Sequence, residues 1–311
     1  MNFGMVFPGQ GAQSVGMLDG YGDSAPVREV VSAASAILEQ DVAKLISEGP
    51  AEELSRTVNT QPVMLTVGYA AYRLWLSLGG AEPAMVAGHS LGEYTALVAA
   101  GALAFEDALP LVRLRAQAMQ EAVPQGAGAM AAILGLDDDQ VRAACAESAQ
   151  GEVVEAVNFN APAQVVIAGH AAAVQRAIAA AKAKGARRAV PLPVSAPFHS
   201  SLLAPAAARL RQHLAAVAVT KPRIPVVNNV DVAVYDDPDR IKDALVRQAD
   251  HPVRWVECVR AMAGLGITHV VECGPGKVLA PLIKRSAETA QGYALVDRDA
   301  MEQTLAELKG A

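Results

Sequence analysis

The amino-acid sequence predicts an α/β fold with a mainly parallel sheet, into which a smaller second domain is inserted. Short apolar runs typical of buried strands alternate with helical patterns at both ends of the chain, and this alternation indicates parallel strands. After Pro124-Gln125-Gly126 the order becomes strand, helix, strand, strand, helix, strand, which is the split βαβ arrangement. We therefore predict a large domain of residues 1–124 and 197–311 and a small domain of residues 125–196.

The first part of the chain supplies the elements around a glycine-flanked serine. Strands are predicted at residues 2–7 and 83–88, and helices at residues 91–100 and 105–123. Helical patterns also fill the stretch between the two strands. We expect breaks in them at Gly49-Pro50 and Gln61-Pro62, because proline has no N–H to continue the backbone hydrogen bonds.

The remaining elements follow in chain order. In the small domain, strands are predicted at residues 129–136, 153–158, 164–168 and 186–194, and helices at residues 137–149 and 171–184. A turn is expected around Asn160-Ala161-Pro162. A helix at residues 200–217 returns the chain to the large domain, and the last strands are predicted at residues 224–230, 269–273 and 293–296.

The composition is that of a globular protein. Apolar residues make up 52% of the chain and charged residues 19%, and the formal net charge of -6 argues against general nucleic-acid affinity. Cys145, Cys258 and Cys273 form no Cys-x-x-Cys pair, so neither a metal site nor a redox pair is predicted. No signal-peptide pattern and no apolar run of the ~18 residues that a membrane span needs is present. We expect a cytoplasmic protein with no nucleic-acid or membrane partner.

The turn Gly88-His89-Ser90-Leu91-Gly92 is the strongest local signal for chemistry. Gly-x-Ser-x-Gly is a loose pattern, but here it follows a predicted strand and opens a predicted helix, as a nucleophile elbow requires. The flanking glycines let the chain turn tightly, and the Leu91 N–H at the helix start can stabilise an oxyanion. The alternative is a serine that only caps the helix. Gly9-Gln10-Gly11, which follows the first strand, is the best candidate for a second oxyanion donor, although the pattern alone favours an ordinary glycine-rich turn.

A serine nucleophile needs a base, and six histidines are present. His89 precedes the serine and should point away from it. His199 lies where the small domain returns the chain to the large one, a junction where clefts form. Spacing places His199 only slightly ahead of His251, and any single histidine is more often a structural or surface residue.

A set of motifs along nearly the whole chain carries a family resemblance. They are Phe7-Pro8-Gly9-Gln10-Gly11-Ala12-Gln13, Gly88-His89-Ser90-Leu91-Gly92-Glu93-Tyr94, Arg113-Leu114-Arg115, Ala196-Pro197-Phe198-His199-Ser200, Gln248 ahead of Pro252-Val253-Arg254-Trp255, and Gly274-Pro275-Gly276-Lys277-Val278-Leu279. Together, in this order and spacing, they resemble the malonyl-CoA:acyl carrier protein transacylase family. The resemblance implies an α/β-hydrolase-like core with an inserted ferredoxin-like small domain, in agreement with the element order.

The resemblance also implies a role for each matching residue. Ser90 is acylated, His199 is the general base, and the backbone carbonyl of Gln248 orients His199. The backbone N–H groups of Gln10 and Leu91 form the oxyanion hole, and Arg115 binds the free carboxylate of the substrate. The implied substrate pocket includes three further side chains: Met119, Phe198 and Asn160. A bulky ring at Phe198 leaves little room for a branch beside the carbonyl.

The helical pattern independently places Arg115 on an inward face. Its neighbours three and four residues away are Leu111, Val112, Ala118 and Met119. A buried charge needs a partner, and the guanidinium fork suits a ligand carboxylate. The alternative is a structural ion pair with an acidic side chain of the protein.

The expected reaction is transfer of a malonyl group from malonyl-CoA to the phosphopantetheine thiol of acyl carrier protein through a malonyl-Ser90 ester. The alternatives are a serine thioesterase or esterase on a similar fold and a non-catalytic carrier-binding module. We expect no metal or other cofactor, and a monomer. Two basic clusters are candidates for docking an acidic carrier, although each fits solvated surface charge as well: Lys182, Lys184, Arg187 and Arg188, and Lys277, Lys284 and Arg285. The loop Gly274-Pro275-Gly276-Lys277 lacks the spacing of a phosphate-binding loop but could line the cleft.

Overall fold

The computed structural model describes residues 2–194 and 196–310, so Met1, Ser195 and Ala311 lie outside the described residues. Its strands, in chain order, are β1 Phe3–Phe7, β2 Met85–Gly88, β3 Gly128–Leu134, β4 Val154–Ala161, β5 Gln164–His170, β6 Arg188–Pro191, β7 Val226–Val227, β8 His269–Glu272 and β9 Gln291–Ala294. Its α-helices are α1 Ala25–Leu38, α2 Val42–Glu48, α3 Ala51–Ser55, α4 Thr57–Ser77, α5 Gly92–Ala99, α6 Phe105–Glu121, α7 Asp138–Ala149, α8 Ala171–Ala183, α9 Ala204–Leu214, α10 Pro238–Gln248, α11 Trp255–Gly264, α12 Ala280–Ser286 and α13 Arg298–Gly310.

The larger sheet is parallel and has the strand order β7-β2-β1-β8-β9. The central strand β1 and its neighbour β2 are in register at their carboxyl ends, where Phe7 lies opposite Gly88. The loops that follow β1 and β2 are therefore neighbours. In open α/β sheets this carboxyl edge is where ligands bind.

The smaller sheet is antiparallel, with the order β4-β5-β3-β6. The α/β fold with a mainly parallel sheet and a second, ferredoxin-like sheet is thus confirmed. One face of the small sheet packs with α7 and α8, and residues of the other face, including Met130, Val157 and Val166, join the main core. The division at residues 125 and 196 stays a prediction.

Several predicted elements have other bounds in the structure, among them the strand predicted at residues 186–194, of which only β6 is observed. Three differences concern segments close to the site. The expected break at Gln61-Pro62 is wrong, since α4 continues through Pro62. Residues 60–68 of this helix are all buried, and their packing outweighs the one backbone hydrogen bond that proline removes. The strand predicted at residues 224–230 shrinks to β7, because Asn228 and Asn229 turn the chain and bind other loops. The strand β4 extends through Ala161, so the expected turn around Asn160 begins later.

Within the part of the chain that the structure describes, no helix has the length and apolar character to cross a membrane.

Candidate active site

The turn that carries Ser90 connects β2 to α5 and is packed so closely that only glycine fits at Gly88 and Gly92. A Cβ on Gly88 would lie 1.8 Å from the backbone carbon of Gly92, and one on Gly92 would lie 2.0 Å from the carbonyl oxygen of Phe7. Ser90 itself has φ 53°, in the left-handed region that non-glycine residues rarely adopt. This strained strand–turn–helix geometry is that of a nucleophile elbow.

Ser90 forms a hydrogen-bonded chain with His199 and Gln248. The Ser90 Oγ is 2.7 Å from the Nε2 of His199, and the His199 Nδ1 is 2.7 Å from the backbone oxygen of Gln248. A carbonyl oxygen can only accept, so Nδ1 carries the proton and Nε2 is left to accept from the serine. The arrangement suits His199 to remove the Ser90 proton.

Burial keeps His199 neutral. The side chain is 3% exposed, and burial, followed by the nearby Arg115 charge, lowers its pKa from 6.5 to about 3. A histidine that is uncharged at neutral pH can act as a base. The other candidate, His251, is more than half exposed and lies beside Asp250.

Arg115 lies against Ser90. The residue is 2% exposed and donates hydrogen bonds to Gln61 Oε1 at 2.6 Å, Gln248 Oε1 at 2.9 Å and Ser90 Oγ at 3.1 Å. The inward face predicted from the helical pattern is therefore observed. Among the described residues no carboxylate forms an ion pair with Arg115. The alternative, a structural ion pair with an acidic side chain, is therefore not observed.

Two residues of this network, Asn229 and Gln61, are not predicted from the sequence. Asn229 accepts from the Ser90 N–H and donates to the Gly88 carbonyl, each at 2.8 Å, and so fixes both arms of the turn. Gln61 holds the far side of Arg115. The available signal for Asn229 is a pair of asparagines inside the apolar run predicted as a strand at residues 224–230. Gln61 falls at a predicted helix break, and its neighbours in the sequence give no signal for a contact with Arg115.

The two expected oxyanion donors face the same space. The loop after β1 lies against the turn, since a Cβ on Gly9 would be 2.5 Å from the carbonyl oxygen of His89. Among the described residues, neither the Gln10 N–H nor the Leu91 N–H has a protein acceptor. Both residues line the cavity above Ser90, so both amides are placed to receive a developing negative charge.

This cavity has a volume of about 500 Å³ and lies between the two sheets. Its walls are formed by Gln10, Gly11, Gln13, Ser55, Gln61, His89, Ser90, Leu91, Arg115, Met130, Asn158, Leu192, Pro193, Val194, Phe198 and His199.

The three predicted pocket side chains differ in where they lie. Phe198 is in the cavity wall. Met119 lies behind the wall, with its sulfur 3.8 Å from Gln61 Nε2. Asn160 also lies behind it, with its Oδ1 2.8 Å from His89 Nε2. His89 is held by this contact and by Trp255 rather than by the nucleophile, as expected from the turn.

The glycine-rich loop before α12 does not offer a free anion site. Glu272 fills the position that a phosphate would take, because its carboxylate accepts from the backbone N–H groups of Val278, Leu279 and Ala280 at 2.8–3.0 Å. The loop packs against the segment that follows β1, since a Cβ on Gly276 would be 3.5 Å from Ala12, but none of its residues is in the cavity wall.

Comparison with known proteins identifies the family to which the sequence is similar. The model of the acyl transferase domain matches residues 5–306. Malonyl CoA-acyl carrier protein transacylase of Escherichia coli K12 is 54% identical over 304 residues, covering 97% of this chain and 98% of that protein. The corresponding protein of Bacillus subtilis 168 is 42% identical over 306 residues, covering 98% and 96%.

Solved structures agree with these relatives. An acyl-carrier-protein S-malonyltransferase from Burkholderia pseudomallei 1710b is 65% identical, with a TM-score of 0.97, and the match covers 98% of this chain and all of that one (100%). A malonyl-transacylase in complex with its type II PKS acyl-carrier protein is 46% identical, with a TM-score of 0.97, and the match covers 99% and 100%.

Proposed function

The chain belongs to the acyl transferase family, and on that premise we propose that it transfers a malonyl group from malonyl-CoA to acyl carrier protein. One observation supports the malonyl group above all. Arg115 is a buried cation with no carboxylate of the described protein on it, and its guanidinium lies 3.1 Å from the Ser90 Oγ. A substrate that carries both a thioester and a free carboxylate would satisfy the two groups together.

In the first half-reaction the Ser90 hydroxyl attacks the thioester carbonyl of malonyl-CoA while His199 Nε2 takes its proton. The carbonyl oxygen becomes an oxyanion between the Gln10 and Leu91 N–H groups, a contact worth about 3–4 kcal/mol per donor. The carbon–sulfur bond then breaks. The thiol of CoA leaves with the proton from His199, and the malonyl group stays on Ser90 as an ester.

The second half-reaction repeats these steps with a different nucleophile. The phosphopantetheine thiol of the carrier gives its proton to His199 and attacks the malonyl-Ser90 ester. When the ester bond breaks, the Ser90 oxygen regains the proton and the malonyl thioester leaves on the carrier. The relatives named for this reaction and the solved complex with a carrier protein support acyl carrier protein as the partner.

The thioesterase or esterase alternative differs only in whether water replaces the carrier thiol. A cytoplasmic location, a monomeric state and the lack of a metal or other cofactor remain predictions. So does the choice between the two basic clusters for docking the carrier.

Release of CoA, measured with and without carrier, separates transfer from hydrolysis. Without carrier we expect one rapid burst of CoA that is stoichiometric with the protein and then stops. With holo acyl carrier protein the release should continue and should match the malonyl-carrier formed. Sustained release without carrier would show a hydrolase.

A further inference from the structure

Glu93 is a buried acid next to the site that the reaction does not use. It lies in the first turn of α5, three residues after Ser90, and is 2% exposed. Its Oε2 accepts from Gln248 Nε2 at 2.8 Å and from the backbone N–H of Asn229 at 3.0 Å. It makes no direct ion pair among the residues described.

The side-chain amide of Gln248 connects this carboxylate to Arg115. The amide nitrogen donates to Glu93 and, at 2.9 Å, to the backbone oxygen of Ser90. The amide oxygen accepts from Arg115 at 2.9 Å. An amide turned by half a rotation would present its nitrogen to the guanidinium and its oxygen to the carboxylate, and both contacts would be repulsive. The two buried charges therefore fix the amide in one orientation.

Because the Gln248 amide separates Glu93 from Arg115, the guanidinium stays available to a ligand. A carboxylate in direct contact with Arg115 would occupy the fork that a substrate carboxylate needs. Glu93 instead supplies its negative charge from behind a neutral amide, so that the buried Arg115 has a countercharge without being covered. Burial raises the pKa of Glu93 to about 7, and the hydrogen bonds from Gln248 and Asn229 and the Arg115 charge act in the opposite direction.

We propose that Glu93 is a positioning residue for selection of the substrate carboxylate: it fixes the Gln248 amide, and Gln248 in turn holds Arg115 in the orientation that binds the malonyl group. The inference rests on the proposed function, because it assigns Arg115 to the substrate. It predicts that Glu93 affects acyl groups with a free carboxylate more than acyl groups without one.

The test compares transfer of malonyl and acetyl groups by Glu93→Gln at about pH 8, which lies above the raised pKa of Glu93, so that most of the parent protein carries the charge. We expect kcat/KM for malonyl-CoA to fall by about tenfold or more, because the affected hydrogen bonds are those between the Arg115 guanidinium and the substrate carboxylate. The change should appear chiefly in KM, since these bonds form when the substrate binds. The value for acetyl-CoA should change less, so that the malonyl-to-acetyl ratio falls. Combined with Arg115→Ala, the Glu93 change should lower this ratio little further, since both act through the same group.

Glu272→Gln is the matched control. Glu272 is also fully buried and accepts backbone hydrogen bonds, but it lies outside the site. This variant should lower the melting temperature and leave the malonyl-to-acetyl ratio unchanged. A folded Glu93→Gln with the parent ratio would overturn the inference.

If Glu93→Gln does not fold, the malonyl-to-acetyl ratio of Glu93→Asp tests the same inference. Aspartate keeps the charge but withdraws its oxygens from Gln248 by one methylene, so a lower ratio is expected and the parent ratio would contradict the proposal. A parent protein that does not prefer malonyl over acetyl would overturn the proposed function as well, which separates the two failures.

Discussion

His199 must remain uncharged in a buried position, and its neutrality has a cost at low pH. In the folded protein its pKa is lowered to about 3, whereas the unfolded chain has the ordinary value of 6.5. Below pH 6.5 the unfolded state therefore binds a proton that the native state does not, and stability falls as the pH falls towards 3.

Replacement of this residue should remove that acid-sensitive component of stability. We expect the unfolding free energy of the parent protein, relative to His199→Gln, to drop by about 1.4 kcal/mol for each pH unit below about 6.5. Urea unfolding of both proteins across this range measures the difference. A difference that does not change with pH would contradict a buried neutral histidine.

Arg115 should decide which acyl group is accepted. In Arg115→Ala the substrate carboxylate loses charged hydrogen bonds, each worth about 1.5–3 kcal/mol, so malonyl transfer should fall on the order of 100-fold. Acetyl transfer should fall far less. Arg113→Ala is the control, because Arg113 lies two residues earlier and bonds Leu38 and Gln40 instead. An equal loss of both activities in Arg115→Ala would remove its assignment to the carboxylate.

For single residues, the sequence predicts burial or a candidate role only where a residue lies in a recognisable local pattern. The inward face of Arg115 follows from its helical neighbours, and Ser90 from its flanking glycines. His199 could be separated from His251 only by the family resemblance, since the Ser90–His199 contact joins residues 109 positions apart. The contacts of Gln61 and Asn229 also depend on tertiary packing that no local pattern encodes.

Among the elements, the connection from β2 to α5 is the one that places Ser90 in the cavity wall. Gly88 and Gly92 are required because they have no side chain, and not only because they are flexible. Without a Cβ at these positions the backbones of β1 and α5 can approach closely.

Gly88→Ala should therefore destabilise the protein by more than about 3 kcal/mol and abolish acylation of Ser90, because the added Cβ overlaps the backbone of Gly92. Gly264→Ala is the matched control at the end of α11, where an added Cβ meets nothing within 4 Å. That change should be neutral or stabilise by up to about 1 kcal/mol. Thermal unfolding and malonyl labelling measure both, and normal labelling of Gly88→Ala would disprove the steric argument.

The types of most elements could be predicted, and the errors have physical causes. Proline at position 62 is a strong local signal for a break, yet the buried packing of α4 overrides it. The strand predicted at residues 224–230 is longer than β7, because the predicted strand includes Asn228 and Asn229, whose side chains bind neighbouring loops. Strand order was not predictable, since it depends on which distant segments pair.

At the scale of the whole molecule, the two sheets share one core and form the cavity together. Val157 of β4 is fully buried in the main core, and its carbonyl accepts from the Val253 N–H at 2.8 Å. Phe159 N–H donates back to the Val253 carbonyl at 3.0 Å. These contacts connect the small sheet to the segment that follows α10, the helix that carries Gln248.

The shared core should make unfolding cooperative. We expect far-UV circular dichroism and tryptophan fluorescence to give one coincident transition. The fluorescence reports two buried side chains beside the larger sheet, Trp75 in the main core and Trp255 in a second apolar cluster. Val157→Ala should lower both midpoints together, by about 2 kcal/mol of unfolding free energy. Two separate transitions, with the fluorescence change unaffected by the substitution, would show that the sheets unfold independently.

The central claim is that Ser90 carries the malonyl group between the two substrates. Intact-mass spectrometry after incubation with malonyl-CoA tests it most directly. The parent protein should gain the mass of one malonyl group, Ser90→Ala should gain none, and addition of holo acyl carrier protein should return the parent protein to its original mass while the carrier gains the group. Labelling of Ser90→Ala equal to that of the parent protein would contradict the account.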